Sequence, residues 1–404
     1  MIAGRGRRRA SGWQVIAAYT LVCAATQLLW LTYAPITTET ARHYGVSEGA
    51  VGWLSEIFPL LYVVLAIPTG LLLDRWFRPT LALGGAIVAL GALARLDGHS
   101  FASALAGQSL VAVAQPIVLS AVSKLAGEYL PAHRRASGIA VGSAGGFLGM
   151  LAALVLGPTL ARHGQLERLL VIDAILVTVP AVALAICLLA PGEERDEHVA
   201  IEGGVVRALW SLPQIRTLCG LVFVGFGVFV AIATWLQTLL HPSGVSEGEA
   251  GALLVGMVLA GIIGCAVLPP AIARRRGERG FMRSVALIAA LGCVGLGVAP
   301  WLGVRAVAIV AMGAVLLPAL PVVLTMTEQL AGAGAGTAAA IVWMAGNLGG
   351  LVVALLVQAL VHEPLVAFLL MAGVVLLALP LAARMTVPVA ASERGEQAPS
   401  AVAG

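Results

Sequence analysis

Twelve segments of this chain are long and apolar enough to cross a bilayer, and nothing else in the sequence restricts the fold as much. They run roughly over 13–38, 51–73, 80–96, 100–127, 135–160, 168–190, 215–239, 248–272, 282–299, 301–328, 333–361 and 364–385. A membrane-crossing helix needs about 20 mostly apolar residues. Inside lipid no water satisfies backbone N–H and C=O groups, so each segment has to be helical. Composition agrees: only 11% of residues are charged and 60% are hydrophobic, against about 25% charged in a soluble domain. The expected fold is an all-α integral membrane protein of twelve transmembrane helices, with the lipid bilayer as its solvent.

The first segment follows Arg5, Arg7, Arg8 and Arg9. Its apolar run reaches about Thr38 without a small-residue cleavage signal, so it reads as a retained helix rather than a signal peptide. With both termini cytoplasmic, nineteen of the 24 lysine and arginine residues fall on the cytoplasmic side. The remainder, Arg42, Arg95, Arg162, Arg168 and Arg305, fall outside. That bias predicts cytoplasmic termini in a cytoplasmic (inner) membrane. The basic residues are scattered over short loops rather than gathered on one face, which argues against nucleic acid as a partner. All five cysteines lie in apolar segments without metal-ligand spacing, so neither a metal nor a disulfide framework is expected. No phosphate-binding loop and no nucleophile–base set occurs, so no cofactor and no enzymatic activity are expected.

The chain is also internally duplicated. Gly-Val-Ser-Glu-Gly occurs at Gly45–Gly49 and again at Gly244–Gly248, an offset of 199 residues. Ala136–Gly149 aligns with Thr337–Gly350 at an offset of 201, and Gln115-Pro116 answers to Leu317-Pro318. A parallel two-half repeat is the best account, and such repeats place a transporter's substrate site between the halves near the bilayer midplane. The expected organisation is a basic tail over 1–12, a six-helix half over 13–190, a cytoplasmic linker over 191–214, a second half over 215–385 and a flexible cytoplasmic tail over 386–404. A single chain with both halves is expected to work as a monomer on a small-molecule substrate.

Between the second and third segments stands Gly70-Leu-Leu-Leu-Asp74-Arg75-Trp-Phe-Arg78. It resembles the Gly-x-Leu-x-Asp-Arg-x-Gly-Arg loop of the major facilitator superfamily, with Phe77 in place of the second glycine. Gly70 permits close helix approach, and Asp74 can pair with nearby arginines and with the N-terminus of a facing helix. The resemblance implies that Gly70, Asp74, Arg75 and Arg78 form a latch between halves in the outward-open state.

Three further stretches narrow the resemblance: Trp30-Leu-Thr-Tyr33-Ala-Pro35, Trp53-Leu-Ser with Tyr62-Val-Val-Leu-Ala-Ile-Pro68, and Gln115-Pro116-Ile-Val-Leu-Ser120 running on to Arg134-Arg135-Ala-Ser-Gly. They look like the family of the feline leukaemia virus subgroup C receptor, linked to haem, choline and ethanolamine. The resemblance implies a substrate site of Trp30, Tyr33, Gln115, Trp235 and Asn347, with Trp235 beside the nearest match to a span-seven tyrosine. An aromatic face there would attract a cation.

Ionisable residues inside a membrane are functional candidates. Glu56 and Asp173 are the candidates for proton coupling. Leu105-Ala-Gly-Gln108-Ser109 lacks the arginine of many proton-coupled relatives, and Gly157-Pro158 lacks the following glycine pair of drug antiporters. A proton-coupled efflux antiporter and a non-transporting receptor remain alternatives to a transporter of a small organic solute. The glycines of spans five, eight and eleven are expected to pack tightly and to form the rocking surface between halves.

Overall fold

The computed structural model describes residues 12–161, 165–189 and 204–386. Both tails, residues 191–203 of the linker and the Glu56 side chain lie outside the described residues. Twelve helices are long and apolar enough to span a membrane: α1 Gly12–Ile36, α2 Ala50–Arg75, α3 Phe77–Ala94, α4 Phe101–Ser120, α5 Ala132–Leu160, α6 Leu166–Leu188, α7 Pro213–Ser243, α8 Gly248–Arg275, α9 Glu278–Val298, α10 Leu302–Ala331, α11 Ala335–Ala359 and α12 Pro364–Ala383. No strand occurs among the described residues.

The repeated pentapeptide turns out to be a helix junction used twice. Gly45 ends the short helix Thr37–Tyr44 in the left-handed conformation, φ 65°, and Gly244 does the same after the turn His241–Ser243 at φ 82°. Two residues on, Ser47 and Ser246 cap the next helices by accepting from Ala50 N and Glu249 N. Glycine tolerates that backbone without strain, and serine satisfies an otherwise orphaned amide.

Packing inside each half repeats as well. In the first half α1 packs on α5, α2 on α4, α3 on α4 and α3 on α6. In the second, α7 packs on α11, α8 on α10, α9 on α10 and α9 on α12. The halves meet through α2 with α11 and through α5 with α8.

The glycines expected there, at 142–149 of α5, 256–264 of α8 and 346–350 of α11, do not lie on that seam. A Cβ at Gly145 or Gly149 would overlap the Thr20 or Ala24 carbonyl of α1, and one at Gly349 the Phe223 carbonyl of α7. Gly261 and Gly264 sit against Leu317 and Ala314 of α10. The expected rocking surface is therefore corrected: these glycines weld helices within a half. They also correct the internal alignment by one residue, pairing Gly149 with Gly349 rather than Gly350. Each is the residue whose missing side chain lets its helix rest on a carbonyl.

Three local expectations change. Span four does not run unbroken to residue 127; it ends at Ser120, where the Ala121 amide turns back to the Val118 carbonyl, and a short helix Val122–Tyr129 follows. The described end of the linker contains a short helix, Val205–Ser211. Arg95 and Arg305, assigned to outside loops, are 1% and 5% exposed.

Candidate functional site: a cleft between the halves

One end of the bundle is closed. Residues 114–123 of the first half and 320–328 and 335–343 of the second are buried at every position. A helix buried on all sides must have neighbours on all sides, so α4, α10 and α11 fill the axis there. Among the described residues, the side-chain hydrogen bonds that join the halves lie at this end. The Asp74 carboxylate accepts from the amides of Gly336, 2.8 Å, and Thr337, 2.7 Å, at the N-terminus of α11. That terminus carries partial positive charge. A Cβ at Gly70 would come within 2.8 Å of Thr337 Cα, so glycine there lets α2 approach. Arg135 of α5 donates to Glu328 of α10 at 2.8 Å, and the Ser123 hydroxyl donates to the Leu324 carbonyl at 3.3 Å.

The expected arginine partners of Asp74 lie elsewhere. Lys124 supplies the cation, with Nζ 2.7 Å from the Asp74 carbonyl and 3.4 Å from its carboxylate. Arg75 stacks on Trp76 at 4.7 Å, and Arg78 faces Glu128 at 3.9 Å. Both arginines lie on or beyond the end of α2, where they point back along their own half.

Above the closed end lies a narrow cleft. The first half lines it with Tyr19, Cys23 and Gln27 of α1 and with Ser143, Gly146 and Phe147 of α5; the second half contributes Phe226 of α7 and Trp343 of α11. The Tyr19 hydroxyl is spent on the Val118 carbonyl, 2.8 Å. Gln115 Nε2 donates to Gln27 Oε1 at 3.1 Å, which turns the Gln27 amide nitrogen away from Gln115. Ser143 Oγ and Trp343 Nε1 are buried without any hydrogen-bond partner. A buried polar atom left unpaired costs about 1–3 kcal/mol, and the two side chains that carry these atoms line one cleft from opposite halves. The floor is aromatic: Trp343 packs on Tyr62 at 6.3 Å and on Phe226 at 5.8 Å.

The residues expected from resemblance fall around this cleft rather than on it. Gln115 is one layer behind Gln27. Trp30 lies one turn beyond Gln27, away from the closed end, and donates from Nε1 to the Ser55 carbonyl at 3.0 Å. Asn347 lies one turn beyond Trp343 and donates to the Trp343 carbonyl of its own helix at 2.9 Å. Trp235 is tied to the Ala354 carbonyl at 3.1 Å and does not reach the cleft.

Tyr33 and Asp173 belong to a different arrangement. Regular helix ends at Leu31, and the bend before Pro35 turns Tyr33 off the cleft face. The Arg95 guanidinium lies 4.9 Å over the Tyr33 ring and donates to its hydroxyl at 3.2 Å. The same arginine pairs with Asp173 at 3.1 Å, and the Thr32 hydroxyl donates to Asp173 at 2.8 Å. Both ion-pair side chains are 1% exposed. The proton-coupling expectation for Asp173 meets a buried intra-half ion pair away from the cleft.

Tyr19, Ser143, Phe226 and Trp343 were missed from sequence. Their signal was the duplication: in the corrected alignment Ser143 answers to Trp343 and Gln27 to Phe226.

Comparison with known proteins agrees with the geometry. Residues 15–354 match the Major Facilitator Superfamily, and the chain belongs to that superfamily; it is an integral membrane protein and a secondary transporter. Solute carrier family 49 member A3 of Danio rerio is 28% identical over 395 residues, covering 89% of this chain and 80% of that protein. The human choline/ethanolamine transporter FLVCR2 is 26% identical over 286 residues, covering 65% of this chain and 54% of that protein. The chain thus stands in the branch related to these transporters, while spanning little more than half the length of FLVCR2. Among solved structures, the human organic anion transporter MFSD10 superimposes with a TM-score of 0.73 at 17% identity, over 92% of this chain and 100% of that one. FucP in the outward conformation gives a TM-score of 0.71 at 17% identity, over 92% and 99%. At such identity both show the fold alone.

Proposed function

We propose that this protein carries a small organic solute, an amine or amphipathic cation, across the cytoplasmic membrane by rocking its two halves about the cleft. The observation that carries the reading is the pair Ser143 Oγ and Trp343 Nε1, buried, unpartnered and contributed by opposite halves. A solute accepting from both would join the halves through itself. The rings of Tyr19, Phe147, Phe226 and Trp343 offer faces to a cationic group, and no acid or base lines the cleft. Choline and ethanolamine, named for the relatives, each combine a hydroxyl acceptor with a cation and suit such a lining. Trp30 and Asn347 would act as outer contacts on the path to it, with Gln115 fixing Gln27. The end that holds Asp74 is taken as cytoplasmic, which makes the closed end the inner gate, and the chain is taken to act as a monomer.

Uptake of labelled choline and ethanolamine into proteoliposomes holding the purified protein tests the reading. Saturable flux of either, lowered by Trp343→Ala, is the expected result. Absence of both flux and ligand-induced thermal stabilisation for every amine tried would overturn it, since a ligand of the folded state must raise its stability.

A further inference from the structure

A second slot adjoins the cleft and differs from it in chemistry. Leu221, Val222, Gly225 and Phe229 of α7 line one wall, and Leu316, Leu320 and Val323 of α10 line the other. Met282, in the first turns of α9, closes the far end, so the slot runs from the cleft toward the Asp74 end. Every lining side chain is apolar. Phe147 and Phe226, one from each half, border both spaces. The cleft and the slot therefore meet at two rings, and beyond them the lining has no side chain that hydrogen-bonds.

We propose that the slot is a subsite for an unbranched alkyl chain carried by the transported solute, so that the preferred substrate is a chain-bearing amine rather than a bare alkanolamine. This rests on the function proposed above. Three observations support it. The slot is tight: its free volume is about 20 Å³, which admits the first carbons of a single chain and no ring. Its walls are drawn from one half alone apart from Phe147, so a chain seated there would move with the second half while the polar head stays on the donors. Gly225 leaves one wall open: a Cβ placed there would meet nothing nearer than Leu316 Cδ2 at 4.0 Å. The glycine is thus not required by helix packing, unlike Gly149 or Gly349, and its absent side chain is what leaves the space. Burying each further methylene should strengthen binding about fourfold until the slot is full.

The test uses choline and its homologues in which one N-methyl is replaced by n-propyl, n-butyl or n-hexyl. Affinity for the purified full-length protein is measured by isothermal calorimetry at one detergent concentration. The expected result is a rise of about fourfold per methylene over the first carbons, followed by a plateau. Gly225→Leu fills the slot and should bring the butyl and hexyl homologues down to choline's own affinity. Ala319→Leu, entering from α10, should do the same. A flat series in the wild-type protein would overturn the subsite while leaving the proposed function intact. A rising series untouched by both substitutions would also overturn it, because the chain would then be partitioning into detergent or lipid. Failure of choline and all homologues to bind would remove the function and the subsite together.

Discussion

Asp74 and Thr337 lie in opposite halves of the chain, 263 residues apart, and the Thr337 amide donates to the Asp74 carboxylate across 2.7 Å. With the parallel bond from Gly336, one carboxylate holds two orphaned amides at the first turn of α11. Hydrogen bonds to a charged acceptor are worth about 1.5–3 kcal/mol each. Asp74→Asn removes the charge and leaves one acceptor, so the closed state should lose roughly that much. We expect impaired flux at equal expression and normal membrane insertion, because the two amide bonds join the halves and Lys124 keeps its bond to the Asp74 carbonyl within the first half. Flux equal to wild type would show that the contact does not govern the cycle.

Arg135 and Glu328 make the second tie, with side chains 16% and 9% exposed. Arg135→Gln should weaken closure in the same direction, and combining it with Asp74→Asn should impair flux further than either alone. The check is labelling of a cysteine placed at Ser123, sealed at the closed end, in a background without native cysteines. Its labelling rate in permeabilised cells should rise in the double variant. An unchanged rate would mean that packing alone keeps this end shut.

Arg95 and Asp173 are both 1% exposed and each retains an unpartnered atom, Arg95 Nη1 and Asp173 Oδ1. Removing one partner of a buried pair costs about 3–5 kcal/mol, whereas replacing both with apolar residues costs far less. Arg95→Leu alone should therefore lower the thermal midpoint more than Arg95→Leu with Asp173→Leu. The order of midpoints in a melting experiment decides it. A double variant less stable than the single would mean that the ionic contact itself is the main stabilising term.

Trp343→Phe separates binding from stability. The indole N–H is buried without a partner, so deleting it should leave the ligand-free protein as stable as wild type or more so. A ligand that accepts from it should bind roughly 2–10-fold more weakly, following the net value of about 0.5–1.5 kcal/mol for one hydrogen bond. Calorimetry and melting on the same preparation read both. Lower stability without loss of affinity would remove Trp343 from recognition.

Arg207 is exposed on the short helix between the halves. A cysteine at position 207, in a background lacking the native five, should resist an impermeant maleimide in intact cells and react after permeabilisation. Labelling from outside would reverse the orientation.

The spans and the duplication were legible because both are periodic. Lipid forces whole helices on the chain, and duplication repeats their order. The cleft was less so. Tyr33 stands three residues from Trp30, yet the helix ends between them and the two side chains part. Arg95 looked like a loop charge because nothing local announces Asp173, 78 residues away. The alignment slipped by one residue because alanine and glycine runs in α5 and α11 match in several registers; only the carbonyl under Gly149 or Gly349 selects one. Trp343 was hidden by that slip, since it fell opposite Gly142 instead of Ser143.

The glycine contacts of α1 with α5 and of α7 with α11 give both halves the same backbone frame, while Ser143 corresponds to Trp343 and Gln27 to Phe226 as unlike counterparts. On the proposed function, a twofold frame with a lining that is not twofold would offer a ligand one pose rather than two related by rotation. A solute entering from either side of the membrane would then meet the amide and hydroxyl on the same flank and the indole on the other. Its head could not change partners by turning over, so the sense in which it is held would be the same before and after the crossing.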